Sequence, residues 1–208
     1  MSRSLASAVL IALVVLVVLP RPATADRLVK GRSLVEIGVS GYRAQLAGPA
    51  VVVPRDERGE VGVHAAYYRF LSDHWTFGLA GGYHLAQEKL ESGAGTGTLK
   101  AHSYSLRVGG DRFAFIDDDV ALYAGPGVIY SRGSEKVEAT GTGTTEGPDA
   151  TEVGLNGRIG MYARLRKGVA LFGHIGQVLS RSSAEDAGVK RSWWSSTHEG
   201  SVGLAFDF

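Results

Sequence analysis

The sequence contains no cysteine, which excludes disulfide staples, thiol nucleophiles and zinc–cysteine sites. It also lacks a surplus of either charge: 22 Lys and Arg stand against 21 Asp and Glu, a formal net of +1. Nothing in that balance suits a polyanion, so nucleic acid is not an expected partner. Beyond residue 25 no apolar run is long enough for a membrane helix, and the helical 3.6-residue period is weak throughout. The six histidines, His64, His74, His84, His102, His174 and His198, form no H-E-x-x-H motif and no closely spaced pair. "GAGTG" opens no helix, which removes a phosphate-loop reading. No cofactor and no metal site is therefore expected. Asp117-Asp118-Asp119 reads as a solvated turn, lacking the spread of ligands of a calcium loop.

The first 25 residues stand apart. A basic start at Arg3, an apolar run from Val9 to Leu19, Pro20, and Ala23-Thr24-Ala25 form a secretory signal peptide with cleavage before Asp26. A membrane anchor would need about 20 apolar residues, more than this run supplies. The expected domains are a signal peptide at 1–25 and a barrel at 26–208. Removal of Arg3 and Arg21 leaves 20 basic against 21 acidic residues in the exported chain.

What the sequence has in abundance is period-two alternation, the signature of strands. Trp75, Phe77, Leu79, Gly81, Tyr83 and Leu85 share one face, with Thr76, Gly78, Ala80, Gly82, His84 and Ala86 on the other. The same split places Val35, Ile37 and Val39 against Glu36, Gly38 and Ser40, and Leu106 and Val108 against Ser105 and Arg107. Eight such strands are read near 33–43, 60–71, 75–87, 101–113, 119–131, 151–165, 168–180 and 196–208. Long connections (44–59, 88–100, 132–150, 181–195) alternate with tight ones, as in an antiparallel up-and-down order.

An apolar-faced sheet of eight strands closes either around a ligand in water or with its apolar face to lipid. The polar face here is rich in Gly and Ala, which suits a cramped interior better than a solvent surface. The strands also run to about 11 residues, the length a tilted membrane strand needs. The fold class expected is all-β, an eight-stranded antiparallel up-and-down transmembrane β-barrel. Arg107 and Arg158 fall at middle heights on the inner face, with Glu199 and Glu36 near them, so these four residues are expected to form a lumen charge network that closes the bore. In the alternative, the arginines face water in a narrow anion-preferring pore.

The final stretch "EGSVGLAFDF", with Val202, Leu204, Phe206 and Phe208 on one face, the signal peptide, the alternating strands, and the stretches "DHWTFGLAGGYHL" and "ALYAGPGVIY" together resemble the small bacterial outer-membrane β-barrel family of the OmpA/OmpX-like kind. The resemblance covers the whole chain. It implies residence in the bacterial outer membrane among lipid and lipopolysaccharide, four long extracellular loops, and a monomer. It also implies biogenesis through periplasmic chaperones and the barrel-assembly machinery, which would read Val202, Leu204, Phe206 and Phe208 as the assembly signal. The chain stops at the barrel, so no peptidoglycan-binding domain is expected. Lipid A-modifying enzymes of the family imply one alternative activity. The deacylase kind places Ser two residues after His on one strand, and no histidine here has that neighbour. The function expected is structural or surface-interactive, without enzymatic activity.

Overall fold

The computed structural model describes residues 30–45, 58–92, 95–139, 143–147, 149–186 and 189–208. Ten strands occur among them: β1 (Ser33–Gln45), β2 (Arg58–Ser72), β3 (Trp75–Ser92), β4 (Gly95–Gly109), β5 (Arg112–Phe115), β6 (Val120–Ala139), β7 (Gly143–Glu146), β8 (Ala150–Arg166), β9 (Val169–Asp186) and β10 (Val189–Asp207). They build eight staves. β5 prolongs β4 in the same register against β6, Gly109 facing Gly127 and Arg112 facing Ala124. The interruption lies opposite Pro126, which has no N–H to give the ladder. β7 is a short strand paired to the upper end of β6.

Every neighbouring pair is antiparallel, and β1 pairs with both β2 and β10, so the sheet closes into a ring. The closing pair is anchored at its base by Ser33 and Phe208, whose backbone amides and carbonyls exchange hydrogen bonds of 2.9 and 3.1 Å. Closure leaves no unpaired strand edge along the staves, a condition for burying backbone in a medium without water. The three tight turns and both described ends of the chain share one end of the barrel. Gly168 makes the Lys167–Gly168 turn possible, since its φ of +79° is a conformation other residues rarely adopt.

Alternation sorts the side chains as the sequence pattern predicts. Ile37, Val39, Val63, Leu79, Leu106, Val128, Leu155 and Val202 are exposed on the outside, with Leu79 53% exposed. Glu36, Ala66, Tyr68, Arg107, Tyr123, Asn156 and Arg158 are buried within. Such a belt of exposed aliphatic side chains around a filled interior is the inverse of a water-soluble barrel.

The strands are longer than expected, and three of the four long connections are corrected. Residues 88–100, 132–150 and 181–195 were expected as loops on their Gly and Thr content. Instead β3 and β4 remain paired to Ser92 and Gly95, and β9 and β10 to Asp186 and Val189. β6 continues to Ala139, held by β4 and β7. Thr and Ser alternating with charged residues are competent strand formers. Cross-strand ion pairs reinforce these extensions, Lys100 to Glu138 at 2.8 Å and Lys136 to Glu146 at 3.0 Å. Arg132 to Asp149 at 2.7 Å ties the β6–β8 connection in the same way. The signal-peptide segment 1–25 and most of the 44–59 connection lie outside the described residues.

The facing of the wall sets a direct expectation. Leu79→Arg or Leu106→Arg should lower the unfolding free energy in lipid vesicles by about 2–4 kcal/mol, whereas the inward Ala80→Ser should be mild. Urea titration of the three variants checks it, and equal losses would mean that the two faces are exchanged.

Candidate functional site: the filled lumen

The interior is layered from the tight-turn end upward. Its floor is aromatic: Phe70, Phe113, Phe115, Tyr123, Tyr162 and Phe172 are buried together, with Tyr123 and Tyr162 ring centroids 5.1 Å apart and Phe113 5.4 Å from each. Each ring stands on a different stave or two residues along one, so the rings meet in the middle of the bore. The space they need comes from glycine on facing staves. A Cβ at Gly160 would lie 2.4 Å from the Tyr123 ring, and one at Gly127 would lie 2.7 Å from Arg107 Nε.

Above this floor sits the charged layer. Arg158 is buried on β8, with its guanidinium 4.9 Å from the Tyr68 ring centroid and 5.3 Å from that of Tyr123. It donates through both Nε (3.1 Å) and Nη2 (2.5 Å) to the two carboxylate oxygens of Asp111, the fork geometry that best compensates a desolvated arginine. Glu36 lies 3.8 Å away on the other side and accepts a hydrogen bond from the Tyr162 hydroxyl. Arg107 donates to Asn156 Oδ1 at 2.6 Å, to the Pro126 carbonyl at 3.2 Å and to the Tyr68 hydroxyl at 3.4 Å, and stands 3.6 Å from Asp111. Asn156 in turn donates a hydrogen bond from its side-chain amide to Glu199.

The structure therefore brings all four expected residues, Glu36, Arg107, Arg158 and Glu199, into one connected layer. The pairing differs in detail. Arg158 stands 3.8 Å from Glu36, but its closer anion is Asp111. Arg107 reaches Glu199 by way of Asn156. Asp111 was missed, although the signal was present: it shares the parity of Arg107 four residues earlier, and the break between β4 and β5 opposite Pro126 does not disturb that parity.

Over the charged layer lies a cavity of about 50 Å³ lined by Ser40, His64, His84, Arg107, His174 and Ser201 among others, room for water rather than for a large ligand. Here the structure joins residues that local spacing could not. His64 Nδ1 lies 2.9 Å from Ser201 Oγ, reaching across β1 at Gly38, where a Cβ would stand 2.8 Å from the imidazole. His174 Nδ1 is 3.0 Å from the Tyr123 hydroxyl. The His64–Ser201 contact is a hydrogen bond of the kind a general base makes to a nucleophile, but His64 Nε2 is buried without a hydrogen-bond partner, so no carboxylate orients the ring. Ser201 Oγ also contacts the Val39 carbonyl at 3.3 Å. Higher still, Glu152 accepts hydrogen bonds from the hydroxyls of Ser131 (3.0 Å), Ser195 (3.3 Å) and Ser180.

The other expected residues lie elsewhere. Val202, Leu204 and Phe208 are exposed on the outer face of β10, and Phe206 shares that face. At the Asp117 turn, the carboxylate accepts the backbone amides of Asp119 and Val120 at 2.7 and 2.8 Å, an Asx turn. Among the described residues no group of three or more His, Asp or Glu side chains is placed to hold a metal ion.

Asp111→Asn should be the most damaging change in this layer, costing about 3–5 kcal/mol because it strips a fully buried guanidinium of its anion. Asp111→Leu combined with Arg158→Met should recover most of that loss. Urea unfolding of the single and double variants in vesicles tests this, and an additive double variant would show that the pair is not coupled.

No family model and no curated protein sequence matches this chain. Solved structures do. OprG, an outer membrane protein of Pseudomonas aeruginosa, is 12% identical, with 89% of this chain and 99% of its own covered and a TM-score of 0.56. Neisserial surface protein A is 13% identical, with coverage of 86% and 100% and a TM-score of 0.56. Ail, the attachment invasion locus protein of Yersinia pestis, is 15% identical, with coverage of 86% and 99% and a TM-score of 0.48. At such identities the likeness is one of fold: the chain has the closed eight-stave architecture of the small outer-membrane β-barrels.

Proposed function

We propose that this protein is an integral barrel of the bacterial outer membrane that is closed to ion flow and acts through what it presents at the cell surface. The observation that carries this reading is the lumen. Its two buried arginines are met by Asp111 and Glu36 and tied through Asn156 to Glu199, on a floor of six packed rings. A water-filled pore would keep such charges hydrated and separate, whereas here they neutralise one another across the bore. Above the wall, the extended strand pairs β3–β4, β6–β7 and β9–β10 provide stiff outward projections, and surface specificity normally resides in such segments.

In planar bilayers the wild-type protein should be nearly silent, and Glu36→Ala combined with Asp111→Ala should leak or lose stability. Steady, anion-selective current from the wild-type protein would sink the closed-barrel reading. A second reading, enzymatic, has one observation in its favour, the His64–Ser201 contact. The non-enzymatic proposal expects no labelling of Ser201 by a fluorophosphonate probe, and His64-dependent labelling would replace it.

The outer face of β10 also supports a role in assembly. Phe208 closes the ring against Ser33 while its side chain points outward, so the terminal residues are positioned both as the last seam and as an apolar strand that another protein could read. Phe208→Lys should be exported but poorly inserted, seen as loss of heat-modifiable mobility on a gel. Normal insertion would leave Phe208 as ordinary lipid contact.

A further inference from the structure

Away from the tight-turn end, the lipid-facing wall is interrupted in one sector. On the outer face of β9, Gln177 lies between Ile175 and Leu179, which are 63% and 53% exposed. On β10, Ser196 and His198 lie between the exposed Trp194 above and Val202 below. Register places these polar residues together: Gln177 faces His198, Ser196 faces Leu179, and Gln177 Nε2 donates to Ser196 Oγ at 3.0 Å. Among the described residues, the other polar side chains set between apolar or glycine residues of the outer face, tyrosines aside, are Arg69 between Tyr67 and Leu71 and Arg112 between Gly110 and Ala114, and both lie close to the tight-turn end, where a long arginine reaches the headgroup level.

Small residues surround the patch. Gly157 is the neighbour of Gln177 on β8, and Gly200 and Gly41 face each other on β10 and β1. Packing within the barrel does not require glycine at 200, where a Cβ would meet nothing closer than the His174 carbonyl at 3.8 Å. Gly81 on the β3 wall has similar room, so glycine alone does not mark the sector; the polar side chains do.

We infer that, in place of the monomer the family resemblance implies, two copies of this chain associate side by side in the membrane through the β9–β10–β1 sector. Amide, hydroxyl and imidazole groups facing acyl chains leave their hydrogen-bonding capacity unmet, at a cost in hydrocarbon. The occupant must itself lie within the apolar band, because Leu179 and Trp194 separate the patch from the headgroup level above. A second barrel inserted to the same depth meets that requirement. Gln177, Ser196 and His198 each carry both a donor and an acceptor, so a two-fold axis can lay the patch against itself with its bonds satisfied. The glycines let the two walls approach closely, as small residues do between membrane helices.

This inference rests on the membrane reading above, which heat-modifiable mobility reports separately. The test uses the full chain in phosphatidylcholine vesicles free of lipopolysaccharide, with single cysteines introduced into a sequence that has none. On oxidation, Gly200→Cys should give covalent dimers and Leu106→Cys, on β4 across the ring from β10, should not. Adding Gln177→Leu and His198→Leu to the Gly200→Cys background should weaken association about tenfold on lipid dilution, without lowering the urea midpoint of the barrel. Equal cross-linking from both walls, or association unchanged by the leucines, would overturn the proposal. Cross-linking that requires added lipopolysaccharide would also overturn it and assign the patch to lipid. Should the leucine variant fail to insert, the comparison of Gly200→Cys with Leu106→Cys still decides.

Discussion

Every structural choice in this protein follows from the need to satisfy backbone hydrogen bonds where no water is available. A sheet meets that need only by closing on itself, and the pairing of β1 with β10 from Leu34 and Asp207 up to Gln45 and Ser196 supplies the seam. Once closed, the sheet has an inside and an outside, and strict alternation assigns each residue to one of them. A one-residue slip at the seam would send Glu36 toward lipid and Ile37 into the bore, so the hydrophobic pattern also fixes the register.

The inside then poses a packing problem that polar groups make harder. Eight staves enclose a bore that side chains must fill, and two of the fillers are arginines. Desolvating a guanidinium is costly unless a well-shaped anion accompanies it, and the fork from Arg158 to Asp111 provides one. The rings of Tyr68 and Tyr123 flank the same guanidinium, so its remaining faces meet π-electron density rather than a void. The glycines along the inner face leave the volume into which these long side chains fold. Gly127 and Gly160 serve as seats for Arg107 and Tyr123.

Fold was largely legible in the sequence because alternation is a local property. Trp75 to Leu85 announces its outward face without knowledge of any other strand. Strand ends were less legible: the Gly and Thr content of 88–100 and 132–150 reads as turn chemistry, yet ladders of Thr, Ser and paired Lys and Glu continue well beyond the apolar belt. The site was legible only in part. Parity placed Glu36, Arg107, Arg158 and Glu199 inside, and it would have placed Asp111 there too. What parity does not encode is which inward residue meets which, since Arg158 and Asp111 are 47 residues apart and lie on different staves.

The same limit separates architecture from activity in a barrel of this size. His64 meets Ser201 because Gly38 leaves an opening in the stave between them, a relation among three strands with no counterpart in linear spacing. Chemistry in such a lumen is therefore composed across the ring, and a motif defined along one strand samples little of it. The outer wall behaves differently. There each residue answers to a nearly uniform solvent, so a departure such as Gln177 between Ile175 and Leu179 stands out within a single strand. The inner face records how the barrel is filled, and the outer face records what the barrel meets.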